Sequence, residues 1–194
     1  TLPGCFPWML PSMSSTAPVA DFDYIQRDAL RLNLQKELLE QIPMAAAMQL
    51  AIAQWDGERV ELHAPLAPNV NDKGCAFGGS LVSVMTLACW SLIKLAADQR
   101  GFACEIYVQD STVRYLAPVW DDFRAFAQVA DGQSLDDFLD TLALRGKARI
   151  ATRCSIALAD GTAACTLEAR FVALRSKLAA DPAQSTPAPD PARR

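Results

Sequence analysis

The sequence contains a single histidine, His63, among its 194 residues. A metal centre built on imidazole ligands is therefore disfavoured, and we predict no metal site. A serine hydrolase triad is poorly supported as well, since Ser80 and Ser83 have no second histidine to serve as a base. His63 itself falls on the polar side of an alternating strand, which favours a structural position over a catalytic one.

Paired cysteines and a surplus of basic residues are also missing. None of the six cysteines lies in a CxxC pair, so we predict reduced core thiols rather than a zinc site or a disulfide framework. They are Cys5, Cys75, Cys89, Cys104, Cys154 and Cys165. The net charge of −4 and the pI of about 5.0 predict that nucleic acid is not a partner.

No segment has the pattern of a signal peptide or a membrane span. Residues 1–13 lack a basic start and are interrupted by prolines. The most apolar predicted helix, residues 78–97, carries Ser, Thr and Lys side chains, which favours burial in a protein core over contact with lipid. We expect a cytoplasmic protein without a membrane partner.

The length and the hydrophobic fraction of 51% suit one globular domain. Residues 1–20 are rich in Pro and Ser and lack periodicity, which predicts a disordered lead. Residues 177–194 are Pro-rich and predict a disordered tail. The folded unit is then residues 21–176.

Hydrophobic periodicity predicts the order of helices and strands. A helix over residues 28–40 precedes a hairpin of strands at 48–55 and 59–66, with its turn at Asp56 and Gly57. After a loop at 67–79 comes the apolar helix 78–97, then strands near 104–116, 123–130, 147–159 and 162–174, with a short helix at 135–142 among them. An apolar helix must be enclosed, so we predict an α+β hot-dog fold whose antiparallel sheet wraps around it.

The loop that leads into the apolar helix carries the strongest sign of chemistry. It reads NVNDKGCAFGGS from Asn69 to Ser80. Gly78 and Gly79 at a helix start allow a ligand to approach the backbone, where free N–H groups and the helix dipole favour negative charge. This predicts an oxyanion hole for a thioester carbonyl. A plain loop with glycines needed for packing is the alternative, with Asn71 closing an Asx-turn.

Thr86 is the hydroxyl on the apolar helix with the most informative position. A helical wheel places it on a face with Gly79, Val82, Trp90 and Ile93, away from a polar stripe formed by Ser80, Ser83, Ser91, Lys94 and Asp98. The Thr86 hydroxyl either donates back to the Val82 carbonyl or faces a ligand cavity, about 10 Å along the axis from Gly79.

Three further groups of polar residues are weaker candidates. Asp72 is expected to be solvated in the loop, and Asp110 has no second acid at a suitable spacing. A basic strand face is predicted for Arg145, Lys147, Arg149 and Arg153. Such a face is usually solvated, but it also suits the phosphopantetheine phosphate or an acidic carrier protein.

The block from Asn69 to Ser80, its continuation through the helix, and DSTVRYLAP from Asp110 to Pro118 resemble a known family. It is the thioesterase-like domain found at the C-terminus of bacterial acetyltransferase fusions, and members of that family resemble malonyl-acyl-carrier-protein decarboxylases. The resemblance spans about residues 34–174. It implies a hot-dog fold, a homodimer or tetramer, and a pocket between subunits with the central helix at its wall.

The chain departs from many hot-dog thioesterases at two positions. Phe77 stands where they often carry His, and Thr86 where they often carry Asp or Glu, so the usual group that activates water is missing. Decarboxylation needs no base: it needs a donor for the enolate oxygen, and a neutral pocket does not repel the substrate carboxylate. The expected reaction is therefore conversion of malonyl-carrier protein or malonyl-CoA to the acetyl thioester, which primes fatty acid synthesis.

The expected roles follow from that reaction. Asn71 and Thr86 are the predicted catalytic residues: Asn71 donates to the enolate oxygen or the carboxylate, and Thr86 orients the carboxylate or passes a proton to the α-carbon. The predicted substrate-binding residues are Asp72, Lys73, Phe77, Gly78, Gly79 and Ser80. No cofactor is expected beyond the phosphopantetheine of the substrate. An acyl-thioester hydrolase and a non-catalytic acyl-binding module are the alternatives.

Overall fold

The computed structural model describes residues 19–176, with side chains from residue 23 onward. The helices are α1 (Val19–Gln41), α2 (Pro43–Ala47), α3 (Gly78–Gln99) and α4 (Leu135–Arg145), and Ala67–Asn69 forms one 3-10 turn. The strands are β1 (Ala51–Trp55), β2 (Arg59–Ala64), β3 (Cys104–Tyr115), β4 (Phe123–Val129), β5 (Lys147–Ala157) and β6 (Ala163–Arg175). The predicted order of the two long helices, the short helix α4 and the six strands is confirmed, whereas α2 was not predicted and α1 is longer than predicted.

The lead and tail predicted for residues 1–20 and 177–194 lie outside the described residues, apart from the helix start at Val19. Among the described cysteines, Cys75, Cys89, Cys154 and Cys165 are buried, Cys104 is half-buried, and all are free thiols. Burial, together with the neighbouring Cys89 thiol, raises the pKa of the Cys154 thiol well above its usual range. Cys75, Cys89, Cys154 and Cys165 are therefore free core thiols, as their apolar surroundings in the sequence predict.

The six strands form one antiparallel sheet in the order β1-β2-β4-β5-β6-β3. Alternation decides which side chains face inward: Val60, Leu62 and Ala64 of β2 are buried, whereas Arg59, Glu61 and His63 are not. The same alternation runs along β5 and β6. One face of the sheet therefore covers a helix, and the other is polar.

Helix α3 is the element that the sheet covers. Val84, Met85, Ala88 and Leu92 are completely buried. By length and composition α3 is apolar enough to cross a membrane, yet 67% of its most apolar window is buried inside the chain's own fold. The helix is thus the core helix of an α+β hot-dog fold, as predicted.

One face of α3 is covered less completely than the rest. The residues of this face recur at helical spacing and are only half-buried. They are Gly79, Val82, Ser83, Thr86, Leu87, Trp90 and Lys94. We call these residues the open face of α3. The predicted polar stripe is wrong in two respects. Ser83 and Lys94 lie on the open face, beside Thr86. Ser91 is fully buried, and its hydroxyl makes no hydrogen bond.

Strand β3 is one edge of the sheet. Its 12 residues pair with β6 on one side only. Tyr107, Val108 and Tyr115 are about half exposed there, at 52%, 47% and 56%. A long edge strand with exposed apolar side chains is a template for pairing with another strand.

Candidate functional site

Asn69 anchors the loop that precedes α3. Its side chain is 1% exposed, and Nδ2 donates to the carbonyls of Met48 (3.0 Å) and Pro65 (2.8 Å). Its own carbonyl accepts the Phe77 N–H at 2.7 Å, which closes the loop at the helix start. In the sequence, Asn69 is only the first residue of the motif. Its burial distinguishes it from the other motif residues, and that burial comes from contacts with distant residues.

Asn71 lies inside this closed loop and is half-buried. Its Oδ1 accepts the Lys73 N–H at 2.8 Å, and its Nδ2 donates to the Cys75 Sγ at 3.2 Å. The first contact is the Asx-turn that the sequence left open as the structural alternative. The amide carries two N–H groups, and the weak sulfur acceptor takes one of them.

Asp72 and Lys73 occupy the tip of the loop. Their side chains are 80% and 72% exposed, and the Lys73 Nζ lies 3.1 Å from the Asp72 carboxylate. Two solvated charges that pair with each other create little net field. The tip is thus a neutralised, solvated surface.

The first turn of α3 presents unpaired backbone donors. The first hydrogen bond at this end runs from the Leu81 N–H to the Phe77 carbonyl, so the N–H groups of Gly78, Gly79 and Ser80 have no acceptor within the helix. The Phe77 side chain provides no cap. The positive end of the helix dipole is therefore left for an anion or a polarised carbonyl oxygen.

The Phe77 ring fills the space of a side chain at Gly79, whereas Tyr115 and Trp120 lie at ordinary contact distance from Gly78 and Gly74. A Cβ atom on Gly79 would lie 2.3 Å from the Phe77 Cε1, and one on Gly78 would lie 3.4 Å from the Tyr115 Cε1. The Tyr115 hydroxyl also donates to the Gly78 carbonyl at 3.2 Å. The Trp120 ring lies 3.9 Å from where a Cβ atom of Gly74 would be. The φ angle of Gly74, +87°, itself favours glycine.

Phe77, Tyr115 and Trp120 are all exposed, at 55%, 56% and 56%. We call them the aromatic rim of the α3 N-terminus. Tyr115 and Trp120 were not predicted as site residues, although Tyr115 lies within the DSTVRYLAP segment. Their place in the rim depends on β3 and its following loop returning to the start of α3, which no local pattern reports.

Thr86 lies two turns into α3, in the middle of the open face. The Ser83 hydroxyl donates to the Gly79 carbonyl at 2.8 Å. Within residues 19–176 no matching bond joins the Thr86 hydroxyl to Val82. Residues 78–90 contain no Asp, Glu, His, Lys or Arg, so the helix segment behind the free N–H groups is neutral.

The weaker candidates lie away from this region. Asp110 is exposed on the outer side of β3 and pairs with Arg170 of β6, with 2.6 Å between the closest atoms. The hydrogen bond from the Arg170 guanidinium lowers the pKa of the Asp110 carboxyl. His63 is on the outer side of β2, with its Nε2 3.9 Å from Asp122. Asp110 is thus a surface ion-pair position, and His63 is a half-buried residue on the outer face of the sheet.

The predicted basic strand face is correct in part. Lys147, Arg149 and Arg153 are exposed on β5, whereas Arg145 is the last residue of α4. Arg153 pairs with Asp131 at 2.7 Å, and Arg149 donates to the Gln109 side chain at 3.0 Å. Asp131 therefore offsets the charge of Arg153, whereas the Gln109 amide holds the Arg149 guanidinium without neutralising it.

A cavity of about 800 Å³ opens at the other end of α3. It lies between the β1–β2 turn, the end of α3 and the β4–α4 connection. Its lining includes Arg59, Gln99, Arg100 and Asp131, and none of the motif residues. The motif itself forms an open surface on the single chain.

Comparison with known proteins agrees with this fold. A family model described as "Putative thioesterase (yiiD_Cterm)", YiiD_C, matches residues 31–175. A protein of unknown function from Chlorobaculum tepidum TLS is 30% identical, with a TM-score of 0.72 over 77% of this chain and 97% of that one. A protein from Shewanella oneidensis described as a "putative thioesterase" is 26% identical, with a TM-score of 0.68 over 76% and 99%.

A likeness at lower identity supports the fold. A protein from Pseudomonas aeruginosa described as a "probable thioesterase" is 21% identical, with a TM-score of 0.62 over 75% of this chain and 96% of that one. The family match covers nearly all of the described residues, including the motif and the open face. The chain therefore belongs to the YiiD_C family of thioesterase-like hot-dog proteins.

Proposed function

We propose that the protein decarboxylates malonyl thioesters to acetyl thioesters at the N-terminus of α3. The bond between the α-carbon and the carboxylate carbon breaks, and carbon dioxide leaves. The electron pair stays with the thioester as an enolate, whose charge rests on the carbonyl oxygen. A proton then adds to the α-carbon. The reaction requires stabilisation of the enolate oxygen and no base.

One observation carries this proposal: three free N–H groups stand at the start of α3, and the helix segment behind them has no ionisable side chains. The donors belong to Gly78, Gly79 and Ser80. Residues 78–90 supply neither a carboxylate nor an imidazole to activate water. A neutral helix segment also leaves the substrate carboxylate unopposed by a like charge. The arrangement suits an anionic substrate that loses carbon dioxide better than it suits hydrolysis.

We assign the remaining roles to two side chains. Asn71 has a second N–H beyond the one that contacts Cys75, and it donates to the enolate oxygen or the substrate carboxylate. Thr86 orients the carboxylate or passes a proton to the α-carbon. Asp72 and Lys73, at the solvated tip, are at most outer contacts for the carrier of the thioester.

The distance along α3 suggests that two chains build each site. Thr86 is seven residues from Gly79, about 10 Å along the axis. The free N–H bonds point out of the helix N-terminus, away from Thr86, so a malonyl group held by the Gly79 amide is directed away from the Thr86 hydroxyl of the same helix. We therefore propose a homodimer in which one chain supplies the oxyanion donors and Thr86 of the partner subunit supplies the hydroxyl.

The uncovered surfaces of the chain fit such a dimer. The open face of α3 and the inward side of β3 are both left incompletely covered by the chain's own sheet. Val108 is on that inward side, since it is paired with the buried Phe171 of β6. Pairing of two β3 edges would extend the sheet and bring the two open faces together.

Val108→Lys is expected to convert a dimer into a monomer, because a charge at the edge of β3 opposes strand pairing. Sedimentation velocity measures the change in mass. Leu144→Lys is the matched control, since Leu144 is 83% exposed on α4 and away from the edge. A Val108→Lys variant with the same mass as the Leu144→Lys variant would contradict the proposed interface.

Hydrolysis of an acyl thioester is the second candidate function. It is supported by the description of the family and by that of the Shewanella oneidensis structure. It requires a water molecule positioned by Asn71 and Thr86, or a carboxylate such as Asp72 brought in from the loop. A third candidate is a binding module that holds an acyl thioester without turnover.

Intact mass spectrometry separates the three candidates. Purified protein is incubated with malonyl-carrier protein and, separately, with malonyl-CoA. Loss of one carbon dioxide, with the acetyl thioester retained, is the expected result on at least one carrier. Appearance of the free thiol would instead identify a hydrolase. An unchanged mass with tight binding would identify the binding module.

A further inference from the structure

We propose that Phe77 is a specificity-determining residue that restricts the site to short acyl groups. This inference rests on the proposed binding of a thioester carbonyl at the start of α3. It does not depend on whether the bound thioester is then decarboxylated or hydrolysed. The acyl groups that the site accepts have two or three carbon atoms, and the Phe77 side chain sets this limit.

The position of the Phe77 ring relative to Gly79 carries the argument. Three ring carbons, Cε1, Cζ and Cδ1, lie 2.3, 2.9 and 3.0 Å from where a Cβ atom of Gly79 would be. The ring therefore occupies the space that a side chain at residue 79 would fill. In a helix the Cα–Cβ bond tilts toward the N-terminus. The ring consequently stands on the side of Gly79 to which the free N–H groups point.

Tyr115 closes the neighbouring approach. Its ring lies 3.4 and 3.6 Å from the Cβ position of Gly78, and its hydroxyl is bonded to the Gly78 carbonyl. The first two residues of α3, whose N–H groups are free, are thus each in contact with an aromatic ring. A carbonyl oxygen that reaches these donors enters beside both rings, and the acyl carbons attached to it meet the Phe77 ring first.

The exposure of the Phe77 ring predicts a graded restriction rather than a complete block. The side chain is 55% exposed, and no hydrogen bond holds its ring in place. A two- or three-carbon acyl group passes the ring, whereas a longer chain must push it outward into solvent. The rotation costs packing against Gly79, so affinity falls with chain length.

Binding of stable acyl-CoA analogues tests this inference. In these analogues a methylene replaces the thioester sulfur, so the carbonyl remains and the acyl group cannot leave. Isothermal titration calorimetry compares the two-carbon and eight-carbon analogues on the unaltered protein. We expect the two-carbon analogue to bind about 10-fold more tightly, the lower end of the discrimination a small hydrophobic pocket achieves.

The variants decide whether Phe77 is responsible. Phe77→Ala is expected to bind the eight-carbon analogue at least as tightly as the two-carbon one. Phe126→Ala is the control, because Phe126 is an equally accessible aromatic residue (46% exposed) on the outer side of β4. It is expected to keep the preference of the unaltered protein. Thermal unfolding of each variant confirms that the fold is retained.

Two results would overturn the inference in distinguishable ways. An unchanged preference in Phe77→Ala, with both analogues bound, would remove the role of Phe77 and leave thioester binding intact. Failure of the unaltered protein to bind either analogue would remove the proposed thioester site and the Phe77 inference together. The carbon dioxide loss expected in the mass spectrometry experiment is measured separately and does not enter this comparison.

Discussion

Asn71→Ala is expected to lower the turnover of malonyl thioester by about 10²–10³-fold, the usual cost of removing one oxyanion donor. The physical reason is that the enolate charge loses a directed N–H group at a site that the proposed dimer would enclose. Thr86→Val, which keeps the shape of the side chain and removes its hydroxyl, is expected to lower turnover as well. Release of carbon dioxide from malonyl-carrier protein is the measurement.

The Asx-turn at Asn71 requires a control, because alanine also removes the acceptor for the Lys73 N–H. Asn71→Asp keeps that acceptor and removes both N–H donors, so the turn survives while the donor is lost. It too is expected to be nearly inactive. Near-normal turnover in Asn71→Asp would show that the side chain only shapes the loop.

Thr86→Val has its own matched control in Thr141→Val. Thr141 is also a helical threonine, but it lies in α4 and its hydroxyl donates to the Asp137 carbonyl at 2.8 Å. The valine substitution there tests the general effect of replacing a helical threonine. If both variants retained the activity of the unaltered protein, the role assigned to Thr86 would be wrong.

Asn69→Ala is expected to destabilise the fold by about 2–4 kcal/mol. It leaves two carbonyls without their donor, at about 1–3 kcal/mol each, and removal of the buried, unpaired Asn69 Oδ1 offsets part of that cost. The carbonyls belong to Met48 and Pro65, and Asn69 is 1% exposed. For a domain of this size the midpoint of thermal unfolding would fall by roughly 4–16 °C. Calorimetry or urea titration measures the change.

The half-buried Asn71 provides the comparison for Asn69. Its side chain makes one bond to a backbone N–H and one to sulfur within the loop, so Asn71→Ala is expected to cost less than about 1 kcal/mol of stability. A small loss of stability in Asn71→Ala and a large one in Asn69→Ala would show that Asn69 anchors the loop and that Asn71 does not. Equal and small effects at both positions would contradict the anchoring role.

Some features of this protein followed from local patterns of residue type. The alternation in β2, the apolar run of α3 and the turn at Asp56 and Gly57 each depend on neighbours within a few residues. The same holds for the free N–H groups at Gly78 and Gly79, because every helix leaves its first donors unpaired. The absence of charged residues from 78–90 is read directly from the sequence.

The polar stripe on α3 was predicted wrongly for a physical reason. A helical wheel ranks faces by side-chain chemistry, whereas burial depends on which face the sheet covers. The sheet covers Ser91 and leaves the turn around Thr86 partly open. The placement of Arg145 on a strand failed similarly, because α4 extends to that residue before β5 begins at Lys147.

The details of the site arise from pairings between distant parts of the chain. Tyr115 reaches Gly78 across 37 residues, and Asn69 reaches Met48 across 21. Strand β3 is an edge because β6 takes one side of it and no other described strand takes the second. Residue types specify what each segment prefers, but the sheet order determines which segments meet. Local sequence therefore set the donors of α3, and long-range packing placed the aromatic rim and the open face around them.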